Sequence, residues 1–263
     1  MELGDIRAVV SDMDGVLWRG DAPLPGLVHF FSLLQNRQLP WVLATNNSSK
    51  SRQDYVRKLA IMGVPDVPVK NIVTSGTATA AWLKREYAPG TRVHVFGGDG
   101  LREELRIAGF CVADDDVAVV VAGLNRDLCY EDLHLASHLI RHGACFVGTN
   151  PDTTFPAANG VAPGAGSLLA ALEAASGVKP IVIGKPHAPM FEAALQLLGS
   201  DAAHTLMIGD RMNTDILGAA RVGMRTALVM TGIASQDDLE NSVLRPDLIC
   251  DSLPALTKAL ASV

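Results

Sequence analysis

Two aspartates follow an apolar run near the start of the chain, in the segment AVVSDMDGVL at positions 8 to 17. Asp12 and Asp14 stand two residues apart, at the point where a buried strand would end. Crowding or burying carboxylates costs free energy unless a cation or hydrogen-bond donors compensate for their charge. The pair therefore predicts a bound positive charge at this position.

Polar residues end three further apolar runs in the same way. They are Thr45, Asn46 and Asn47 at the end of the run WVLATNN, Lys185 after PIVIG, and Asp210 with Asp215 after HTLMIG. Open α/β sheets bind ligands at the carboxyl ends of their strands, so these side chains are candidates for a single site. The sequence leaves open whether the four strands are neighbours.

The residue types at these strand ends suit phosphoryl transfer. Clustered carboxylates would repel one another, and a hard divalent cation with oxygen ligands, most simply Mg²⁺, compensates for that repulsion. Thr45, the amides after it and Lys185 supply donors for a phosphate group. A metal ion, a lysine and aligned N–H groups together stabilise the negative charge of a transferring phosphoryl group. One aspartate is left to attack phosphorus, which is an established form of covalent catalysis.

Short apolar runs alternate with helical patterns along the whole chain. Candidate strands cover residues 6–11, 41–45, 92–96, 117–123, 144–149, 180–184, 204–209, 226–230 and 247–250, and helical patterns include 26–38, 51–63, 187–199 and 213–223. Unbroken runs of Val, Ile and Leu separated by helices are typical of a parallel sheet that is buried on both faces. The chain is therefore predicted to be an α/β protein.

Composition and charge exclude several classes of function. The 263 residues are 48% hydrophobic and 19% charged, which is ordinary for globular protein and long enough for two domains. A formal net charge of -6 argues against a nucleic-acid or anionic-membrane partner, because either needs a basic face. The longest apolar run, at 117–124, is far shorter than the roughly 18 residues of a membrane span. The opening segment MELGDIR carries acidic residues, so we expect no signal peptide and a cytoplasmic protein.

Four motifs, in this order, resemble those of the haloacid dehalogenase (HAD) superfamily of phosphatases. They are DMDGVL at 12–17, LATNN at 43–47, Lys185 in IGKPH, and IGDRMNTDILGA at 208–219. The TNNS, GKP and GDRMNTD versions are similar to subfamily IIA, the NagD or para-nitrophenylphosphatase branch. The resemblance covers essentially the whole chain.

The resemblance implies roles for the acidic residues. Asp12 would be the nucleophile that forms an aspartyl-phosphate, and Asp14 would protonate the leaving oxygen and then activate water. Their spacing in an extended segment keeps both on one side while Met13 points away. Mg²⁺ would be held by the Asp12 carboxylate, the Asp14 main-chain carbonyl and Asp210. Asp215 would orient the metal's waters or Lys185, although a helix cap near residues 213–216 is the alternative reading of Asp215.

The resemblance also implies a phosphate-binding set. Thr45 and the backbone N–H of Asn46 would bind the phosphate oxygens, and Lys185 would link the nucleophile to the phosphate. Asn47 is a weaker candidate for the same pocket. Taken alone, Thr45 could instead cap the helix that begins near Ser51, and Lys185 could be a solvated charge.

The domain organisation implied is a Rossmann-like, doubly wound catalytic core interrupted by an α/β cap of type C2. The expected boundaries are 1–80 for the first part of the core, 81–180 for the inserted cap and 181–263 for the second part of the core. Within the cap, the loop at 149–160, which carries Asn150 and Asp152, is expected to face the active site. The cap strands could also support a homodimer.

The function predicted from these features is Mg²⁺-dependent hydrolysis of small phosphate monoesters through an aspartyl-phosphate. Sugar phosphates, nucleoside monophosphates and phosphoglycolate suit the branch, with para-nitrophenyl phosphate as an artificial substrate. Two alternatives stay open. One is a phosphotransferase or mutase that uses the same intermediate, and the other is a non-catalytic module that binds a phosphorylated ligand.

Overall fold

A computed structural model describes residues 3–157 and 160–262, and the contacts within it divide the chain into two units. The first unit comprises residues 1–45, 52–73 and 191–263, and the second comprises 46–51 and 74–190. The second unit is therefore inserted into the first. The predicted cap, residues 81–180, falls inside the second unit, and its role as a cap stays a prediction.

Strands and helices alternate along the chain. The strands are β1 (Ala8–Ser11), β2 (Trp18–Arg19), β3 (Ala22–Pro23), β4 (Trp41–Thr45), β5 (Ile72–Thr74), β6 (Arg92–Phe96), β7 (Cys111–Val112), β8 (Val119–Ala122), β9 (Cys145–Gly148), β10 (Thr154–Ala157), β11 (Gly160–Pro163), β12 (Ile181–Val182), β13 (Thr205–Gly209), β14 (Arg225–Val229) and β15 (Leu248–Cys250). The α-helices are α1 (Leu27–Asn36), α2 (Arg52–Ile61), α3 (Ser75–Glu86), α4 (Asp99–Ile107), α5 (Tyr130–Arg141), α6 (Ala165–Ser176), α7 (Ala188–Leu198), α8 (Leu217–Arg221), α9 (Gln236–Asn241) and α10 (Leu253–Ala261). A π-helical turn, Met212–Ile216, precedes α8. No helix among the described residues has the length and apolar character needed to cross a membrane.

The first unit contains a six-stranded sheet in the order β15-β14-β13-β1-β4-β5. Strand β1 runs parallel to β13 on one side and to β4 on the other. Every residue of β1 and β13 is buried, as expected for central strands covered on both faces. The chain proceeds outward from β1 to β4 and β5, and later from β13 to β14 and β15. This reversal places a topological switch point between β1 and β13, where open α/β sheets bind ligands.

The core of the first unit forms directly behind the predicted nucleophile. Met13, Leu17 and Trp18 are fully buried in a cluster that also contains Phe30 of α1. Met13 lies between the two aspartates in sequence, and its side chain packs in this apolar cluster, whereas the Asp12 carboxylate lies beside those of Asp210 and Asp215. The apolar cluster thereby fixes the backbone that carries Asp12 and Asp14.

The second unit contains its own parallel sheet, in the order β12-β9-β8-β6-β7. Its core packs Phe96 and Phe146 of this sheet against Leu169 and Leu172 of α6. The antiparallel hairpin β10–β11 follows β9. Both units are thus α/β, and the predicted fold class is confirmed.

The structure answers one question that the sequence left open and corrects one expectation. The four strands that carry the candidate residues do not share one sheet edge, because β12, the strand before Lys185, pairs with β9 in the second unit. The loop predicted at 149–160 is wrong in part, since Thr154–Ala157 forms β10. Residues 158 and 159 of that loop lie outside the described residues.

Candidate active site

Three aspartates come together at the switch point of the first unit. Asp12 directly follows β1 and Asp210 directly follows β13, and the two strands are paired in register through Ser11 and Ile208. Asp12, Asp210 and Asp215 each offer a carboxylate oxygen within 4.8 Å of the other two. Asp12 is 9% exposed and the other two are 1% exposed. Such closely spaced, buried carboxylates repel one another strongly unless a cation joins them.

The π-helical turn after β13 turns Asp215 back toward Asp210. Asp215 accepts the backbone N–H of Arg211 on Oδ2 at 3.2 Å, while its own N–H donates to the Arg211 carbonyl at 3.2 Å. A Cβ atom on Gly209 would lie 2.2 Å from the Cβ of Asp215, so only glycine permits this close approach. Single π-helical turns of this kind are frequent at functional sites.

The loop after β14 holds the Asp210 carboxylate in place. Ile233 donates its N–H to Asp210 Oδ2 at 2.8 Å, and Ala234 donates its N–H to the Asp210 carbonyl at 2.9 Å. A Cβ atom built on Gly232 would lie 1.8 Å from Oδ2 of Asp210, and one built on Gly15 would lie 2.3 Å from the same oxygen. Two glycines and one N–H donor therefore fix the orientation of this carboxylate.

Asp14 differs from the buried acids because it is exposed. It stands at the start of a tight turn in which Gly15, with φ +88°, donates its N–H to the Trp18 carbonyl at 2.8 Å. The positive φ places Gly15 in the left-handed region that favours glycine. The turn brings the indole Nε1–H of Trp18 to 2.8 Å from Asp14 Oδ1.

Thr45 ends β4 on the other side of β1 and is 4% exposed. The strand β4 pairs with β1 through Leu43 and Ser11, so Thr45 lies at the same sheet edge as Asp12.

Tyr55 of α2 is buried next to these acids. Burial is the largest cause, and the negative charge of Asp14 the second, of a rise in the pKa of its hydroxyl well above the usual range. The Tyr55 hydroxyl therefore stays protonated near neutral pH.

A second cluster lies within the second unit and centres on Asn46. The Asn46 carboxamide accepts the backbone N–H of Lys185 at 2.8 Å and donates to the Lys185 carbonyl at 2.9 Å. The same amide nitrogen lies 3.1 Å from Asp152 Oδ2. The Asn46 carbonyl accepts the Ser75 hydroxyl at 2.6 Å and the Asn150 amide at 2.7 Å. The Asn46 side chain thus fixes the backbone of Lys185.

Lys185 is 3% exposed, which is rare for a lysine unless an anion compensates for its charge. Asn150 and Asp152, which were predicted to lie in a loop that faces the active site, are both hydrogen-bonded to Asn46.

Asn47 makes different hydrogen bonds. Its side-chain oxygen accepts the N–H and the hydroxyl of Ser49 at 2.8 and 2.7 Å. The carboxamide oxygen of Asn47 is therefore engaged in its own loop.

The structure thus gathers the predicted residues into two groups. Asp12, Asp210 and Asp215 form the acidic cluster of the first unit, with Asp14 and Thr45 on the flanking segments. The second group, in the second unit, consists of Asn46, Lys185, Asn150 and Asp152. Trp18, Gly232 and Ile233 also contact the aspartates, and no sequence motif indicated these contacts.

Two protein-family comparisons match separate parts of the chain. Residues 9–111 match the family described as haloacid dehalogenase-like hydrolase, and residues 182–256 match the HAD-hydrolase-like family. The chain belongs to the haloacid dehalogenase-like hydrolases. The first matching range contains Asp12, Asp14 and Thr45, and the second contains Lys185 and Asp210.

Two relatives of this HAD hydrolase extend over nearly its whole length. A dihydroxyacetone phosphatase of Corynebacterium glutamicum (strain R) is 37% identical over 247 residues, which cover 94% of this chain and 89% of the relative. An acid sugar phosphatase of Staphylococcus aureus (strain USA300) is 35% identical over 258 residues, which cover 98% of each chain. These relatives confirm the predicted enzyme class, a HAD-type phosphatase.

Solved structures confirm the predicted branch of the family. A 4-nitrophenylphosphatase from Thermotoga maritima has a TM-score of 0.93 and 36% identity, covering 98% of both chains. NagD from Escherichia coli K-12 has a TM-score of 0.88 and 35% identity, covering 94% of this chain and 97% of NagD. A glycerol phosphate phosphatase from Mycobacterium tuberculosis, solved in complex with magnesium, has a TM-score of 0.89 and 32% identity, covering 97% of this chain and 78% of that one.

Proposed function

We propose that this HAD hydrolase is a Mg²⁺-dependent phosphatase that hydrolyses small phosphate monoesters through an aspartyl-phosphate on Asp12. The observation that carries the proposal is the acidic cluster at the switch point, where Asp12, Asp210 and Asp215 offer oxygens within 4.8 Å of one another. Such a cluster needs a hard cation, and a carboxylate at its edge is a suitable nucleophile toward phosphorus.

The residues of the acidic cluster fit a magnesium ion. The donors are all carboxylate oxygens, which Mg²⁺ prefers, and their burial makes neutralisation of their charge favourable. Asp12 and Asp210 would hold the ion together with the main-chain carbonyl of Asp14, and Asp215 would orient its waters. Bound there, magnesium neutralises negative charge on the phosphate and on the carboxylates. The magnesium complex of the related glycerol phosphate phosphatase supports this choice of metal.

The reaction uses the two aspartates in sequence. A carboxylate oxygen of Asp12 forms a bond to phosphorus while the bond from phosphorus to the ester oxygen breaks, and Asp14 gives its proton to that oxygen. Asp14, now ionised, takes a proton from water as the water oxygen attacks phosphorus and the bond to Asp12 breaks. Phosphate leaves, and both aspartates return to their starting states.

The phosphate group would be bound by residues from the second and third sequence motifs. We assign its oxygens to the Thr45 hydroxyl, the backbone N–H of Asn46 and the ammonium group of Lys185. The side chain of Asn46 has another task, because its amide is bonded to the backbone of Lys185. Asn47 is retained as a weaker candidate, with its carboxamide oxygen already bonded to Ser49.

The substrate class is inferred from the relatives. A dihydroxyacetone phosphatase and an acid sugar phosphatase are both similar over nearly the whole chain, which favours a small phosphorylated sugar or a similar metabolite. Selection of the leaving group is assigned to the predicted cap, residues 81–180. A cytoplasmic location and a homodimer remain predictions from the sequence.

Hydrolysis in ¹⁸O-labelled water tests the proposed reaction against its rivals. The purified protein, with Mg²⁺, is incubated with a panel of sugar, triose and glycerol phosphates and with para-nitrophenyl phosphate. We expect inorganic phosphate that contains the label. A new phosphate ester without labelled phosphate would identify a phosphotransferase, and tight binding without turnover would identify a binding module.

The close approach of Gly232 to Asp210 gives a prediction about metal affinity. Gly232→Ala would place a methyl group 1.8 Å from Asp210 Oδ2, so the carboxylate or the loop must move. We expect the Mg²⁺ concentration for half-maximal activity to rise about tenfold or more, in the range seen when groups that orient metal ligands are lost. Titration of activity with Mg²⁺ measures the effect.

The matched control for that substitution is Gly76→Ala. A Cβ atom at position 76 would have its nearest neighbour at 3.5 Å, an ordinary contact, and the residue lies within α3, where alanine is the better helix former. The Mg²⁺ requirement of this variant should equal that of the wild type. An unchanged requirement in Gly232→Ala would show that the glycine does not orient Asp210.

A further inference from the structure

We propose that Trp18 is a positioning residue for Asp14. Its indole N–H donates a hydrogen bond to Oδ1 of the carboxylate. The other oxygen, Oδ2, is therefore the one that transfers the proton. This inference rests on the proposed phosphatase function, in which Asp14 is the general acid and base. The role of Trp18 is inferred from its contact with Asp14 and from no sequence motif.

The hydrogen bond joins an exposed acid to a fully buried donor. Asp14 is exposed, and an exposed aspartate can exchange between staggered χ1 rotamers, while its carboxylate torsion is broad. Trp18 is 0% exposed, and its Nε1 lies 2.8 Å from Asp14 Oδ1. Because an indole nitrogen is a donor only, it can bind one carboxylate oxygen and cannot take the proton itself. The contact therefore makes the two oxygens of Asp14 inequivalent.

The backbone of the turn produces this contact. Trp18 accepts the N–H of Gly15 on its carbonyl at 2.8 Å and donates its own N–H to the Met13 carbonyl at 3.3 Å. Asp14 and Trp18 also form an isolated β-bridge. The turn thus returns the chain to Asp14 within four residues, and the indole reaches the carboxylate from the side of the core.

The indole ring is itself held by two residues of α2. Tyr55 stacks on it with ring centroids 6.4 Å apart and planes at 18°. The Lys58 ammonium lies 4.5 Å from the ring centroid and donates to the Gly20 carbonyl at 2.7 Å. A stacked ring and a cation above the indole each favour the observed orientation. The donor at Asp14 is therefore fixed before a substrate binds.

Fixing the carboxylate matters for proton transfer to the leaving group. Protonated Oδ2 gives its proton to the ester oxygen as the bond from that oxygen to phosphorus breaks, and it later takes a proton from the attacking water. An alkyl ester needs this proton because an alkoxide is a poor leaving group. Para-nitrophenyl phosphate needs it much less, because para-nitrophenolate is a stable anion. The role of Trp18 thus predicts a dependence on the leaving group.

The test is Trp18→Phe, which keeps an aromatic ring and removes the donor. In single-turnover experiments we expect cleavage of glycerol phosphate to slow about 10- to 100-fold, part of the effect of general acid catalysis, with KM nearly unchanged. Cleavage of para-nitrophenyl phosphate should slow less than about threefold. The matched control is Trp41→Phe, a partly buried indole in the same unit, which should behave like the wild type on both esters.

Equal slowing of both esters would overturn the proposal, since a structural defect does not depend on the leaving group, and so would no slowing of either. A double-mutant cycle adds a second criterion. In an Asp14→Asn background, Trp18→Phe should cause no further loss. A further loss of the same factor would show that Trp18 acts through another group.

Nuclear magnetic resonance gives a readout that needs no Trp18 variant. The chain has three tryptophans, so the ¹⁵N-labelled protein gives three indole N–H signals, which Trp41→Phe and Trp82→Phe help to assign. We expect Asp14→Asn to shift the Trp18 signal and leave the other two in place. An unmoved Trp18 signal would contradict the proposal. If the wild type cleaves no phosphate ester, the proposed function fails, while this signal still reports whether Trp18 binds Asp14.

Discussion

Asp12→Asn is expected to lower kcat by more than about a thousandfold, the scale on which loss of a nucleophile acts in covalent catalysis. The amide has nearly the shape of the carboxylate but carries no charge and attacks phosphorus poorly. Release of inorganic phosphate from a good substrate measures the loss. In acid-quenched samples, the wild type should carry covalent phosphate and the variant should carry none. Activity near that of the wild type would refute Asp12 as the nucleophile.

The stability of the same variant separates loss of chemistry from loss of fold. Asp12 lies within 4.8 Å of two other carboxylates, so the amide removes like-charge repulsion from a buried cluster. Without divalent metal, Asp12→Asn should therefore melt at a temperature equal to or above that of the wild type. The control is Asp251→Asn, which neutralises an exposed aspartate in the same unit and should change neither activity nor stability appreciably. A variant that melts well below the wild type would leave a folding defect as the cause of its inactivity.

The central part of the fold could be predicted from the sequence because its strands are buried on both faces. Strands of this kind read as unbroken apolar runs, as in β8 and β13, and they end where the first polar residue appears. The positions of Asp12 and Asp210 followed from that rule. Several short strands were missed, among them β5, which spans only Ile72–Thr74, and β10, which contains proline, a residue that weakens any strand pattern.

The supporting contacts of the site could not be predicted, because they join residues far apart in sequence. Asn46 bonds the backbone of Lys185, which is 139 positions later. Gly232 leaves room for Asp210 through the lack of a side chain, and neither contact has a local pattern. For the same reason, the sequence left open whether the strand before Lys185 neighbours the strand before Asp12, and the structure places the former in the second unit.

Removal of divalent metal should abolish activity and lower the stability of the first unit. Asp210 and Asp215 are almost fully buried, so without a cation their charges repel at a cost to the folded state. Treatment with EDTA should abolish catalytic activity, and Mg²⁺ in excess of the chelator should restore that activity. At about 100 times the dissociation constant, Mg²⁺ adds about 2.7 kcal/mol to the stability of the binding state, a rise in Tm of roughly 5 to 10 °C.

Asp210→Asn connects that stabilisation to the acidic cluster. This substitution removes one of the charges that favour the cation and keeps an oxygen able to accept the Ile233 N–H, so the unit should fold and respond weakly to Mg²⁺. Differential scanning fluorimetry with and without Mg²⁺ measures the response independently of catalysis. Full activity of the wild type in EDTA, or an equal rise in Tm for both proteins, would place the metal requirement outside the three aspartates. A rise confined to the wild type would identify the cluster at the switch point as the magnesium site, because the two proteins differ there by a single charge.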